Sequence, residues 1–142
     1  MTIYHDAVHE LAAPFYTPDQ LGAWAPHRTD ARHWQERLAQ VNTIVVDVDG
    51  IIVGFASYEA SGHLDLLFTR PRFARQGVAR RLCERIERLL GEAGVQKIFT
   101  ESSLAARLFF ESRGFRVLRE ETVACRGVEL RRYAMEKQIG PD

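Results

Sequence analysis

Apolar positions recur at Val8, Leu11, Ala12 and Phe15, three and four residues apart, which lays them on one face of a helix. Thr17-Pro18-Asp19 then supplies a cap and a first-turn proline for a short helical segment through Leu21 and Trp24. Asp30 offers a cap for a third helix carrying Trp34, Leu38 and Val41, with Glu36 and Arg37 on its wet side. At Thr43 the period changes. Residues 43–48 are β-branched, Asp49-Gly50 is a favoured pair for a tight hairpin turn, and residues 51–58 resume the strand. A second turn at Ser61-Gly62 leads into a third strand over residues 63–69, so three consecutive antiparallel strands are predicted.

Pro71 stops the third strand. From Gly77 onward Val78, Leu82, Ile86, Leu89 and Ala93 form one helical stripe, and Gly94 fits its stop. Residues 95–100 read as a fourth strand, joined to the third through a helix and therefore parallel to it. Ser102 or Ser103 can cap a helix over residues 104–113, closed by Gly114, and residues 115–124 and 129–135 pair as a last hairpin around Arg126-Gly127. This order predicts one α/β domain over residues 1–142, a mixed central sheet with helices on both faces. Residues 1–42 form its helical segment and 43–137 its core.

Composition narrows the partners. With 142 residues, 46% of them hydrophobic, the chain can bury a core, and 19 basic residues balance 19 acidic ones. Zero net charge argues against a global grip on nucleic acid or an anionic membrane. No apolar run is long enough to span a bilayer. Two cysteines, Cys83 and Cys125, make neither a disulfide framework nor a zinc set, so a reduced cytoplasmic protein without a metal is expected. The positive charge is nonetheless uneven. Seven arginines lie between Arg70 and Arg88.

Those arginines surround the most informative stretch, Leu67-Phe-Thr-Arg-Pro71 followed by Arg75-Gln-Gly-Val-Ala79. A strand ends there, a short loop follows, and a long amphipathic helix begins. The amides opening a helix lack partners and its dipole favours negative charge. Gly77 and Ala79 leave no bulky side chain over those amides, and Arg75 and Arg80 add cationic arms suited to phosphate oxygens. The alternative is a glycine turn with solvated arginines. Neither a Walker loop nor a dinucleotide-binding fingerprint is present.

The strand, proline, glycine/alanine loop and helix resemble the acyl-CoA-binding motif of the GNAT N-acetyltransferase family, Gln/Arg-x-x-Gly-x-Gly/Ala. Gly77 and Ala79 match it, while Ala74 stands at its leading position. The segment Ala105-Ala-Arg-Leu-Phe-Phe-Glu-Ser-Arg-Gly-Phe115 is similar to a second family block. Within the family the chain most resembles a YafP-like bacterial subgroup, through Tyr16-Thr-Pro-Asp-Gln20, Gly62-His-Leu-Asp65 and Thr100-Glu-Ser-Ser103. The resemblance runs from about residue 44 to residue 137. The family opens with a strand ahead of its first helix; no such pattern precedes Val8, so either that strand is missing, which exposes one sheet edge, or the sequence starts late.

The resemblance implies an acetyl-CoA-dependent N-acetyltransferase acting directly on a small-molecule or peptide amine, without a metal. It implies that the third and fourth strands splay, with the pantetheine arm against Leu67, Phe68 and Thr69. The acyl-CoA contacts it implies are those three residues, Arg75, Gln76, Gly77, Val78, Ala79 and Arg80, then Ser102, Ala106, Phe109, Phe110 and Arg113.

Direct transfer needs a neutral amine, donors for the oxyanion and a proton for the leaving thiolate. Asp65, expected to share a strand face with His63 and Leu67, either manages the amine proton or merely pairs with an arginine. Glu101 is a second carboxylate that either joins in the chemistry or anchors a turn. His63 is either a base on the substrate side or solvent-exposed. The family's acid tyrosine is replaced by Phe110, leaving Tyr133 or Ser102 as candidate hydroxyls. Tyr16, Trp24 and His27 offer a substrate lining beside Trp34, although both tryptophans also suit a helical core. A non-catalytic acyl-CoA-binding module is the competing reading, and a homodimer through the last hairpin is compatible with either.

Overall fold

The computed structural model describes residues 2–26 and 31–140. The chain begins with a helix, α1 (Thr2–Asp6), which widens into a single π-turn over Ala7–Leu11. Val8 and Ala12 from the predicted stripe are buried, whereas Leu11 and Phe15 stay exposed on a cleft wall. Thr17 caps α2 (Pro18–Trp24) through a reciprocal capping box with Gln20, with Pro18 in the first turn. The predicted cap Asp30 lies outside the described residues; α3 spans Ala31–Ala39 and Val41 falls beyond its end.

Six strands form one sheet in the order β1 (Asn42–Val48), β2 (Ile51–Tyr58), β3 (His63–Thr69), β4 (Lys97–Ser103), β6 (Val128–Gln138) and β5 (Arg116–Cys125). All neighbours are antiparallel except β3 and β4, which are joined through the long helix α4 (Val78–Glu92). The expected meander, crossover and final hairpin are therefore present. Among the described residues no strand precedes α1, and β1 is an edge of the sheet.

Two apolar layers flank the sheet. On one face α4 and α5 (Arg107–Ser112) bury Leu82, Ile86, Leu90 and Phe110 against Val53, Leu64, Ile98 and Met135. On the other, α1 to α3 bury Tyr4, Val8, Tyr16 and Trp34 against Phe55, Leu66 and Leu130. Gly54 governs how closely α4 approaches the sheet. A β-carbon there would stand 2.5 Å from Val78 Cγ1 and 3.1 Å from the Phe68 carbonyl oxygen. Its absence seats the first turn of α4 directly on β2.

The segment after α4 departs from expectation. β4 starts two residues later than predicted and runs on through Glu101, Ser102 and Ser103, which were read as a loop and a helix cap. Pairing with β6 holds all seven residues extended, Ser103 opposite Arg132 being the last rung. Helix α5 consequently starts at Arg107, and Ser103 Oγ accepts from the Ala106 amide just ahead of it.

Candidate active site

β3 and β4 share only two rungs, His63 with Phe99 and Leu64 with Thr100. Beyond them β3 remains paired to β2 as far as Thr69, and β4 to β6 as far as Ser103. The inner edges of both strands therefore open onto a gap. The parting begins at an irregularity in β3. Leu64 pairs with Tyr58 and Leu66 with Ser57, so Asp65 is an extra residue with no rung of its own. Such a bulge bends its strand and re-aims a side chain. It also breaks the alternation expected of this strand: Leu66 joins the layer under α1 to α3, whereas Leu67 packs with the layer of α4. Asp65 and Leu67 therefore do not share a face.

A cavity of about 570 Å³ lies on the α1 to α3 side of the gap. Asp65 and Glu101 both line it, each held by a cation. Asp65 Oδ1 accepts from Arg37 Nη2 at 3.2 Å, and its Oδ2 is 3.4 Å from the Ser57 hydroxyl. Glu101 accepts from His63 Nε2 at 2.9 Å, while His63 Nδ1 is 2.7 Å from Glu59 and the ring stacks on Phe99. Hydrogen bonding to Glu101 is the main cause that lifts His63 to about 9, with Glu59 adding to it against partial burial. The same bond pulls Glu101 below the ordinary carboxylate range. His63 is thus an imidazolium bridging two carboxylates, neither solvent-exposed nor poised to accept a proton.

Aromatic side chains line the rest of this cavity. Tyr4 meets Trp34 and Phe68 edge-on at 4.7 and 4.8 Å, and burial pushes its phenol up to about 12. Tyr16 lines the same cavity, but its hydroxyl is engaged twice, donating to the Arg131 carbonyl and accepting from the Leu104 amide, both at 2.8 Å. Trp34 is both core and cavity wall. His27 lies outside the described residues.

A second cavity, about 620 Å³, runs from the gap to the start of α4. Gly77 opens the helix at φ +87°, a conformation suited to glycine, and no side chain caps the first turn. Its leading amides are consequently left to solvent or an anion. Arg80 folds back here, its Nη2 only 3.4 Å from where a β-carbon on Gly77 would stand. Arg75 and Arg80 form no ion pair among the described residues. An anion with several oxygens fits this arrangement.

Of the residues expected to hold acyl-CoA, Leu67, Phe68, Thr69, Arg75, Gly77, Val78, Ala79, Arg80, Ala106, Phe109 and Arg113 line this cavity. Gln76, Ser102 and Phe110 do not. Gln76 donates to the Arg72 carbonyl, Ser102 is buried with its hydroxyl on the Ser103 carbonyl, and the Phe110 ring is packed in the core against Phe115. Arg113 lines the wall, yet its guanidinium is turned to Glu84 and Glu87 on α4. Tyr133 lines neither cavity; its ring lies beneath the Arg107 guanidinium on the far side of β4.

The two cavities share three wall residues, Trp24, Phe68 and Ser103. Ser103 was read from the sequence only as a helix cap. Its role at the junction depends on the length of β4, which pairing with β6 determines. Arg37, Arg126 and the bulge at Asp65 were likewise missed, although the adjacent pair Leu66-Leu67 after Asp65 is a local sign of broken alternation.

Comparison with known proteins shows the family and the fold. The sequence profile of a family described as acetyltransferase (GNAT) domain matches residues 12–137. The chain is 32% identical over 133 residues to the uncharacterized N-acetyltransferase YafP of Escherichia coli (strain K12), covering 94% of this chain and 83% of that protein. A solved GCN5-related N-acetyltransferase from Rhodopseudomonas palustris superposes with a TM-score of 0.93 at 29% identity, covering 96% of this chain and 86% of that one. The PaiA N-acetyltransferase of Thermoplasma acidophilum, solved in complex with coenzyme A, shares the fold at a TM-score of 0.74 and 15% identity, over 96% and 89% of the two chains.

Proposed function

The chain belongs to the GNAT family and is an N-acetyltransferase; from that premise we propose that it moves an acetyl group directly from acetyl-CoA to the amine of a small molecule or peptide, both held at once. One observation carries this reading. The cavity at the start of α4 and the cavity holding Asp65 and Glu101 meet at Trp24, Phe68 and Ser103, beside the gap between β3 and β4.

The diphosphate rests on the amides of residues 78–80, with Arg75 and Arg80 as cationic arms. The thioester arm follows the free inner edge of β3 at residues 67–69, where main-chain groups have no strand partner on that side. The acceptor enters from the other cavity. Asp65 takes the proton of its ammonium, directly or through one water, and Glu59 and Glu101 around the His63 imidazolium keep one net negative charge nearby. The amine nitrogen then attacks the thioester carbonyl, whose developing oxyanion is met by amides along the opened edge of β3.

The departing sulfur needs a proton. The attacking nitrogen in turn must shed its second proton, and the Ser103 hydroxyl, on the shared wall, can relay one to the other. It accepts from the Ala106 amide at 3.1 Å, so its own hydrogen is available to pass to sulfur as it takes up the proton from nitrogen, directly or through one water. Ser103 takes this part rather than Tyr133, which lines neither cavity, or Ser102, whose hydroxyl is held by the Ser103 carbonyl.

Following free thiol release with acetyl-CoA and a panel of amines tests this reading. Release that depends on both components is expected. Asp65→Asn is expected to lower kcat by about 10²- to 10⁴-fold, the usual worth of a positioned base, with acetyl-CoA affinity unchanged. Equal loss in both quantities would refute Asp65 as the base.

A further inference from the structure

The acceptor cavity has two electrically different ends. At the sheet end lie Asp65 and Glu101. At the other, the β5–β6 turn brings in Arg126. The remaining arginines on this wall are already matched: Arg37 by Asp65, Arg131 by Glu120 and Arg132 by Glu121. Arg126 has no carboxylate partner among the described residues. Its Nη1 donates to the Ala23 carbonyl at 2.6 Å and reaches the Trp24 carbonyl at 3.5 Å, at the end of α2. Nε and Nη2 have no protein acceptor among the described residues.

The turn itself does not ask for arginine. Arg126 has φ +47° and Gly127 φ +78°, a pair of left-handed positions that Asn, Asp or Gly normally fills. Fastening α2 to the hairpin needs only one donor, which a lysine also supplies. A planar fork with one edge fastened and the other free on a cavity wall is the geometry that takes a carboxylate through two parallel bonds. The rings of Tyr4, Trp24, Trp34 and Phe68 line the same cavity as this fork and the two carboxylates.

We propose that the acceptor amine also carries a carboxylate, which docks on Arg126 while its ammonium faces Asp65 and Glu101 across the cavity. This rests on the acetyl-transfer reading and narrows its substrate class to aminocarboxylates whose amine and carboxylate are separated by a chain, such as ω-amino acids or short peptides. An α-amino acid, with both groups on one carbon, cannot reach both ends. The cavity volume lies within the range of small-molecule sites, about 300–1,000 Å³.

Matched amine pairs with and without the carboxylate test it: 5-aminovalerate against pentylamine, 6-aminohexanoate against hexylamine, and a tripeptide against its C-terminal amide. The acid of at least one pair is expected to show a kcat/KM about tenfold or more above its neutral partner, as loss of a charged hydrogen bond implies. Arg126→Gln is expected to bring that ratio to within about twofold through a higher KM for the acid, and Arg126→Lys to keep an intermediate ratio. Neutral amines preferred in every pair, a ratio unmoved by Arg126→Gln, or no acid turned over would each overturn the proposal. A parallel calorimetric titration with acetyl-CoA separates the two failures. If acetyl-CoA binds and neutral amines react, only the carboxylate assignment falls; if acetyl-CoA does not bind, the acetyl-transfer reading falls with it.

Discussion

The Thr100 hydroxyl donates to the Leu64 carbonyl at 2.9 Å, in a buried position, at the last rung that β3 and β4 share. Leu64 has no further rung on that side, so this side-chain bond pins the point from which the strands diverge. Thr100→Val keeps the shape and removes the bond. It is expected to cost about 1–3 kcal/mol, the price of leaving a buried acceptor unpaired, and to weaken acetyl-CoA binding by loosening the gap. Urea denaturation and calorimetry measure the two effects. A loss of stability without any change in affinity would show that the rung does not shape the cleft.

Gly54 couples the sheet to the start of α4. A methyl there meets Val78 Cγ1 at 2.5 Å and the Phe68 carbonyl at 3.1 Å, so α4 must lift or β2 must bend. Gly54→Ala is expected to destabilise by about 1–3 kcal/mol, as overpacking does, and to raise the Kd for acetyl-CoA severalfold. Chemical denaturation and calorimetry report both. An unchanged Kd would mean that the opening turn of α4 keeps its place independently of β2.

The His63 bridge predicts a distinctive pH response. Its pKa, raised to about 9 chiefly by the Glu101 bond, lies above the ordinary imidazole value of 6.5. The folded state therefore holds this proton more tightly than the unfolded chain. The resulting stabilisation is complete below about 6.5 and lost as pH rises toward and through 9. Glu101, lowered by the same bond, contributes above the ordinary carboxylate range and loses its share as acid protonates it. The urea midpoint is thus expected to fall between pH 7 and pH 10, and His63→Gln to flatten that fall. By NMR the His63 ring should titrate near 9; titration near its ordinary value would refute the bridge.

The two cysteines should behave differently toward an alkylating reagent. Cys83 is buried on the sheet-facing side of α4, and burial is the main cause that pushes its thiol up to about 12, so it should stay unmodified in the native protein at neutral pH. Cys125 is half-buried on the acceptor cavity, its thiol 3.2 Å from the Ala23 carbonyl. Iodoacetamide is expected to label Cys125 first and to raise the KM for the amine while leaving acetyl-CoA affinity intact. Mass spectrometry of digested protein and steady-state kinetics check both. Labelling of native Cys83 would contradict the packing of α4.

The parts legible in the sequence are those that neighbours along the chain decide. The Asp49-Gly50 turn, the Thr17 cap with Pro18 in the first turn, and the Leu82-Ile86 stripe depend on residues a few places apart, so spacing is enough to read them. The return bond from the Thr17 amide to the Gln20 side chain, which completes the capping box, is added by the structure. What escaped depends on distant partners. Arg37 holds Asp65 from 28 residues away, and Glu101 holds His63 across 38. Neither pairing leaves a trace in local pattern. The extra residue at Asp65 turned Leu67 to the other face, and the pairing of β4 with β6 carried Ser103 to the junction of the cavities.

The account stands on coenzyme binding at the amides that follow Gly77, and titration calorimetry with acetyl-CoA addresses that most directly. Gly77→Val puts a branched side chain at φ +87° beside Arg80, where glycine's freedom is needed. The prediction is one acetyl-CoA per chain for the wild type, with affinity reduced at least about tenfold in Gly77→Val, as loss of charge-assisted bonds to a diphosphate implies. No binding to the wild-type chain, or equal affinity in a folded Gly77→Val variant, would contradict it.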